Sequence, residues 1–112
     1  MAAGGVFGSV TERYSVTNCS LNMSMGFKCT KTAYWGLVSG GSNYASRSQG
    51  YDSIKGSVIS GNKFNPGTVN INGTVQTITS ENYTDYLISD KDKTDNATNN
   101  WLTISNNTWT DN

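Results

Sequence analysis

Cys19-Ser20-Leu21-Asn22-Met23-Ser24-Met25-Gly26-Phe27-Lys28-Cys29 places an apolar or sulfur-bearing residue at every odd position and a polar residue or glycine at every even one. This is the two-residue period of a half-buried β-strand, and it sets both cysteines of the chain on one face. Two constructions satisfy it. As one continuous strand rising about 3.3 Å per residue, the stretch separates the cysteines by roughly 33 Å, whereas a disulfide needs Cα atoms within about 7 Å. Two buried thiols that simply pack belong with that version. Folded back about Ser24, the stretch instead sets Cys19 against Cys29 and Leu21 against Phe27, a geometry that takes a disulfide.

The surroundings of this stretch are poor in charge. Eight basic and eight acidic residues cancel to a formal charge of +0, and only 14% of residues are charged. No basic field exists to hold nucleic acid, and no run of about 18 apolar residues crosses a bilayer as a helix, so neither nucleic-acid binding nor membrane insertion is expected. In place of ions the chain uses 14 Ser, 14 Thr and 14 Asn, which with 12 Gly make up nearly half of its 112 residues. Such neutral hydrogen-bonding surfaces are common on secreted, cell-surface and virion proteins, so an extracellular location is expected. Met1 to Gly5 has neither the basic start nor the apolar stretch of a signal peptide, which predicts a chain made in the cytosol or already processed. Asn-X-Ser/Thr sequons begin at Asn18, Asn22, Asn72, Asn82, Asn96 and Asn106, a mild excess over what the composition alone yields.

Working outward along the chain, residues 6 to 18 alternate in the even register through Val6, Gly8, Val10, Tyr14 and Val16, with Phe7 out of pattern. A small-residue lead and an alternating strand at the N-terminus suit pairing within the domain or addition to a neighbour's sheet. Residues 1–16 are therefore a candidate donor-strand or assembly segment, carried by Val6, Phe7, Val10, Tyr14 and Val16. Ala33 to Val38 and Ile54 to Ser60 read as short strands, and Asn65-Pro66-Gly67 as a turn. Thr68 to Thr79 reads as a hairpin, for which a three-residue loop pairing Val69 with Val75 keeps apolar residues on one face better than a two-residue turn at Asn72-Gly73. Tyr83 to Ile88 reads as a strand and Asp90 to Asn100 as a polar loop. Trp101 to Ser105 and Thr108 to Thr110 read as a last hairpin across Asn106-Asn107.

No internal repeat stands out and no stretch reads as a helix. About seven to nine short strands predict a single all-β domain over residues 1–112, an antiparallel β-sandwich of immunoglobulin-like or jelly-roll-like outline. The close spacing of the two cysteines departs from the immunoglobulin pattern.

The chain has no histidine, which removes Ser-His-Asp and Cys-His catalysis and histidine-bearing zinc sites. The cysteines do not form a CxxC pattern, and Ser39-Gly40-Gly41-Ser42 lacks the lysine of a phosphate loop. Asp85, Asp90, Asp92 and Asp95 offer hard oxygen atoms for calcium, but Lys91 and Lys93 interleave them and an EF-hand's glycine and closing glutamate are missing. Glu12, Asp52, Glu81 and Asp85 show no spacing that marks a glycosidase pair. The expectation is thus no enzyme, no metal and no cofactor. Tyr44, Tyr51, Trp101 and Trp109 lie in polar surroundings and are candidate rings for stacking on sugar or at an interface.

Two functions follow. The first is a structural subunit of an extracellular assembly, a pilus-like filament or virion surface, self-associating by N-terminal strand addition. The second is a monomeric carbohydrate-binding or adhesive module. With no redox or metal partner in the chain and an oxidising location expected, the folded-back version with Cys19 bonded to Cys29 is favoured, the continuous strand remaining its rival.

Overall fold

The computed structural model describes residues 3–4, 13–22, 24–27, 35–41, 54–65 and 67–110. The strands are β1 (Ala3–Gly4), β2 (Ser15–Thr17), β3 (Ser20–Leu21), β4 (Met25–Phe27), β5 (Trp35–Gly36), β6 (Ser57–Ser60), β7 (Lys63–Phe64), β8 (Val69–Ile71), β9 (Thr74–Val75), β10 (Leu102–Ser105) and β11 (Thr108–Trp109). A 3-10 turn spans Tyr83–Tyr86 and a helix, α1, spans Asp90–Asn99.

Among the described residues, strands that follow each other in sequence do not pair, except β8 with β9. The sheets run β10-β6-β2, β11-β7-β3, β4-β8-β9 and β1-β5, and every pairing but β8 with β9 is parallel. The chain therefore winds, laying β6-β7-β8 along β2-β3-β4 and then β10-β11 along β6-β7. Such a wound stack of parallel strands is a β-solenoid, in which each coil buries its inner face against the next. An antiparallel sandwich is excluded: its hairpins join sequence neighbours, whereas here neighbours turn a corner into different sheets.

The register exposes a repeat. Val16, Ile59 and Ile104 lie side by side, as do Thr17, Ser60 and Ser105, and Leu21, Phe64 and Trp109. Val16-Thr17-Asn18-Cys19-Ser20-Leu21, Ile59-Ser60-Gly61-Asn62-Lys63-Phe64 and Ile104-Ser105-Asn106-Asn107-Thr108-Trp109 thus occupy one place in successive coils, corresponding corner residues being separated by 43 and 45 positions. The middle of each motif turns the corner, and Asn18, Gly61 and Asn106 take left-handed backbone at φ of 54°, 71° and 57°, which asparagine and glycine tolerate best.

Among the described residues neither construction of the Cys19 to Cys29 stretch is seen; Met23, Lys28 and Cys29 lie outside them, and so does the Cys19–Cys29 pairing. The alternating run is divided after Leu21: β3 pairs with β7, while β4 pairs with β8 in a different sheet. β3 and β4 are thus neither one strand nor a hairpin with each other, because both take their hydrogen-bond partners from the next coil.

Other local readings also change. The 68–79 hairpin pairs Ile71 with Thr74 and Asn70 with Val75 across a two-residue turn, with Asn72 and Gly73 at φ of 53° and 89°. This is the twist-matched turn with positive φ at both central residues. Matching apolar faces does not decide the register because Val75 stays 61% exposed, so β9 has no core face to protect. Tyr83 to Tyr86 is a 3-10 turn, not a strand. Asp90 to Asn99 is helical, capped by Ser89, whose hydroxyl accepts the Asp92 N–H, and by Asn100 in left-handed conformation. Trp101 to Thr110 is no hairpin, since β10 and β11 join the two separate sheets of the solenoid.

The core lies inside the coils. Tyr14, Val16, Ile59 and Leu102 line it along the β2-β6-β10 sheet, Phe64 and Tyr83 fill the next corner, and Met25, Val69, Ile71, Leu37, Val38, Leu87 and Ile88 close the far side. There Leu37 N–H donates to Tyr86 C=O and Val38 N–H to Leu87 C=O, joining two coils without regular strand.

Candidate functional site

At the corner between the first two sheets, Asn62 is fully buried. Its Oδ1 accepts the Cys19 N–H at 2.9 Å and its Nδ2 donates to the Val16 carbonyl at 2.8 Å, both in the preceding coil. Asn107 repeats the arrangement one coil on, Oδ1 accepting the Asn62 N–H at 3.0 Å and Nδ2 donating to the Ile59 carbonyl at 3.1 Å. Asn62 Nδ2 also donates to Asn107 Oδ1 at 3.0 Å, which makes the two amides a ladder. The ladder answers a physical need, because a tight corner takes backbone groups out of the strand pattern and burial requires that they find partners. Beside it the Ser60 and Ser105 hydroxyls bond at 3.1 Å.

Cys19 holds the asparagine place in the first coil. Its thiol is free and exposed, donating to the Thr17 carbonyl at 3.3 Å, and Cys29 lies outside the described residues. A thiol suffices there because no earlier coil among the described residues presents backbone to be satisfied at that position.

Among the described residues the other end of the stack is β10. Asn96, on α1, reaches it with Oδ1 accepting the Trp101 and Leu102 N–H groups, both at 2.8 Å, and Nδ2 donating to the Leu102 carbonyl at 3.2 Å. The side-chain amide thereby pairs with Leu102 as a peptide of a neighbouring strand would. Asp95 accepts the Trp101 indole N–H at 3.0 Å, so α1 is fixed to the start of the last coil by two adjacent side chains. Lys93 and Asp90 pair at 3.0 Å on the solvent side, a contact of small energetic weight.

The sequon asparagines divide by this geometry. Asn18, Asn22, Asn72 and Asn106 are exposed. Asn96 is committed to β10, and Asn82 is committed locally, accepting the Thr79 N–H at 2.7 Å and donating to the Thr77 carbonyl at 3.2 Å. Of the candidate assembly residues, Tyr14 and Val16 are buried in the core of their own chain, while Val6, Phe7 and Val10 lie outside the described residues. Of the candidate rings, Trp101 is 1% exposed and packs edge-on against Tyr14, so it offers no open face. Trp109 is half-buried and stacks on Tyr83 at 5.4 Å; Tyr44 and Tyr51 lie outside the described residues. The Tyr83 hydroxyl donates to the Asn107 carbonyl at 2.7 Å, and burial pushes its pKa above the ordinary tyrosine value.

Of the acids considered for calcium, Asp90, Asp92 and Asp95 stand on α1 rather than in a loop, and Asp85 lies in the 3-10 turn before it. Among the described residues no group of three or more His, Cys, Asp or Glu is placed to hold a metal; Glu12 and Asp52 lie outside them. A hollow of about 570 Å³ runs beside α1, and its described lining, Asp90, Lys91, Thr94, Asp95, Thr98 and Asn99, is one helical face. No helix among the described residues is long and apolar enough to cross a membrane.

Sequence reasoning missed Asn62 and Asn107, and singled out Asn96 only as a sequon. The signal for the ladder is the motif apolar, Ser/Thr, Asn/Gly, Asn/Cys, any residue, apolar, seen only when the three copies are aligned. Comparison with protein-family models, with curated proteins and with solved structures finds no match.

Proposed function

We propose that the protein is a non-enzymatic structural subunit of an extracellular assembly, filamentous or on a virion surface, that associates through its solenoid edges. The observation carrying this reading is that the β10-β6-β2 sheet ends, among the described residues, in strands without a single charged side chain. Natural sheets ordinarily guard such edges with lysine, proline or a cover, and here the α1 clamp meets the start of β10 at Trp101 and Leu102. The neutral, hydroxyl- and amide-rich surface and the structural use of asparagine in the ladder support the same reading. Strand addition at the N-terminal side then uses the outer edge of β2, with Tyr14 and Val16 remaining in their own core.

Sedimentation of the purified chain over a concentration series, with electron microscopy of the same samples, tests the proposal. Ordered oligomers that grow with concentration are expected. A chain that remains monomeric at every concentration and salt tested contradicts it.

A further inference from the structure

Parallel pairing uses the two sides of a strand alternately. Ser57 N–H donates to the Trp101 carbonyl and Gly61 N–H to the Ser105 carbonyl, so the odd-numbered peptide groups of the last coil face β6. Those of Leu102, Ile104 and Asn106 face away. Asn96 occupies the outer side at Leu102, and beyond it the outer groups of Ile104 face no further strand among the described residues. At the other end, Val58 N–H donates to the Tyr14 carbonyl and Asn18 N–H to the Ser60 carbonyl, which leaves the peptide groups of Ser15 and Thr17 facing outward from β2.

We propose that the outer edge of β10 and β11 receives the outer edge of β2 and β3 from a second copy, stacking chains head to tail in the register that the coils already keep. This rests on the structural-subunit reading and names its interface. The occupant is argued from the repeat: β2-β3 and β10-β11 already flank β6-β7 in matched register, so one chain's last coil presents to the next chain's first coil the pattern that β6-β7 presents within the molecule. No charge lies in 15–21 or 102–109 to oppose the contact. In that register Ile104 N–H donates to Ser15 C=O of the second copy, Thr17 N–H of the second copy donates to Ile104 C=O, and the Thr17 and Ser105 hydroxyls meet as those of Ser60 and Ser105 do within the chain. Leu21 of the second copy covers Trp109. The contact joins two different surfaces and does not close on itself, so it propagates.

Cys19 tunes this interface. In the second copy it falls over Asn107, where an asparagine would accept the Asn107 N–H and donate to the Ile104 carbonyl, as Asn62 does one coil earlier. A thiol is a weak acceptor and cannot supply both bonds. Wild-type stacking is therefore weak and C19N strengthens it.

The test is sedimentation equilibrium of the full chain as wild type, C19N and Thr17→Pro. Thr17 is exposed and its N–H points away from β6, so proline removes an intermolecular donor while leaving the pairing with β6 in place. C19N is expected to lower the dissociation constant at least about tenfold, or about 1.4 kcal/mol, and Thr17→Pro to raise it by a similar factor. Should Thr17→Pro fail to fold by circular dichroism, C19N alone decides. Wild-type association that C19N leaves unchanged overturns this interface while the structural-subunit reading stands. Wild type and C19N that are both monomeric at every concentration overturn the reading together with the interface.

Discussion

Replacing Asn62 by alanine removes the central rung of the corner ladder without touching the inner apolar face. Three side-chain hydrogen bonds are lost, to Cys19 N–H, Val16 C=O and Asn107 Oδ1. Their losses are unequal. Cys19 is exposed, so its N–H regains water and the loss there is about 1 kcal/mol. Val16 is 4% exposed, and weakening the hydrogen bonding of its carbonyl costs about 1–3 kcal/mol. Asn107 keeps the bond from the Asn62 N–H and loses about 1 kcal/mol more. The sum, about 3–5 kcal/mol, is a large share of the roughly 5–15 kcal/mol that holds a domain folded. With a urea dependence of about 2 kcal/mol per molar, the unfolding midpoint falls by roughly 2 M. Cys19→Ala, at the exposed end of the ladder, is the control and shifts stability by less than about 0.5 kcal/mol. An Asn62→Ala variant that costs no more than Cys19→Ala in urea unfolding refutes the ladder as a structural element.

Two glycines separate steric from conformational cost. A Cβ on Gly36 runs into the Ser39 carbonyl oxygen and the Ile88 backbone, 2.8 Å from Ile88 Cα, so Gly36→Ala is expected to cost about 3 kcal/mol in urea unfolding; Gly73→Ala meets nothing within 4 Å but holds a φ of +89°, and costs about 1–2 kcal/mol. Burial raises the Tyr83 pKa above its ordinary value of 10.0, so the unfolded chain deprotonates first. Tyr83 therefore contributes stability that is complete below about pH 10 and is lost as pH rises through the higher folded value. Tyr83→Phe is expected to lose about 1 kcal/mol at neutral pH through the missing bond to Asn107, and to show a shallower alkaline decline than wild type when unfolding is measured on both sides of pH 10. In a host that glycosylates secreted proteins, peptide mapping is expected to find sugar among Asn18, Asn22, Asn72 and Asn106 and none on Asn82 or Asn96, whose amides are committed to the fold; folded protein with full occupancy at Asn96 contradicts the clamp on β10.

Alternation in the Cys19 to Cys29 stretch identifies extended structure, and the runs at Ile54 to Ser60 and Trp101 to Ser105 do contain β6 and β10. Alternation carries no information on strand direction, because a residue faces in or out in the same way whether its neighbour runs parallel or antiparallel. Direction here is set by coils separated by 43 and 45 residues, and the repeat that would reveal it is only six residues long in each coil. Cysteine in place of asparagine in the first copy and glycine in place of asparagine in the second conceal it further. Helix α1 escapes periodicity because it has no apolar stripe. Its ends carry readable signals nonetheless, Ser89 before Asp90 and Asp92 at the start and Asn100 at the close. Asn96 is conspicuous in sequence only as a sequon, although its place in the fold is as a surrogate strand peptide for Leu102.

Parallel coils and the expected C-terminal hairpin make opposite demands on Ile59 and Ile104. Nuclear Overhauser contacts measured on the isotopically labelled chain distinguish them directly. The solenoid predicts backbone contacts linking Val16, Ile59 and Ile104 in parallel register, with Ser60 flanked by Thr17 and Ser105. Antiparallel contacts between the 101–105 and 108–110 segments, with none from Ile104 to Ile59, would contradict it.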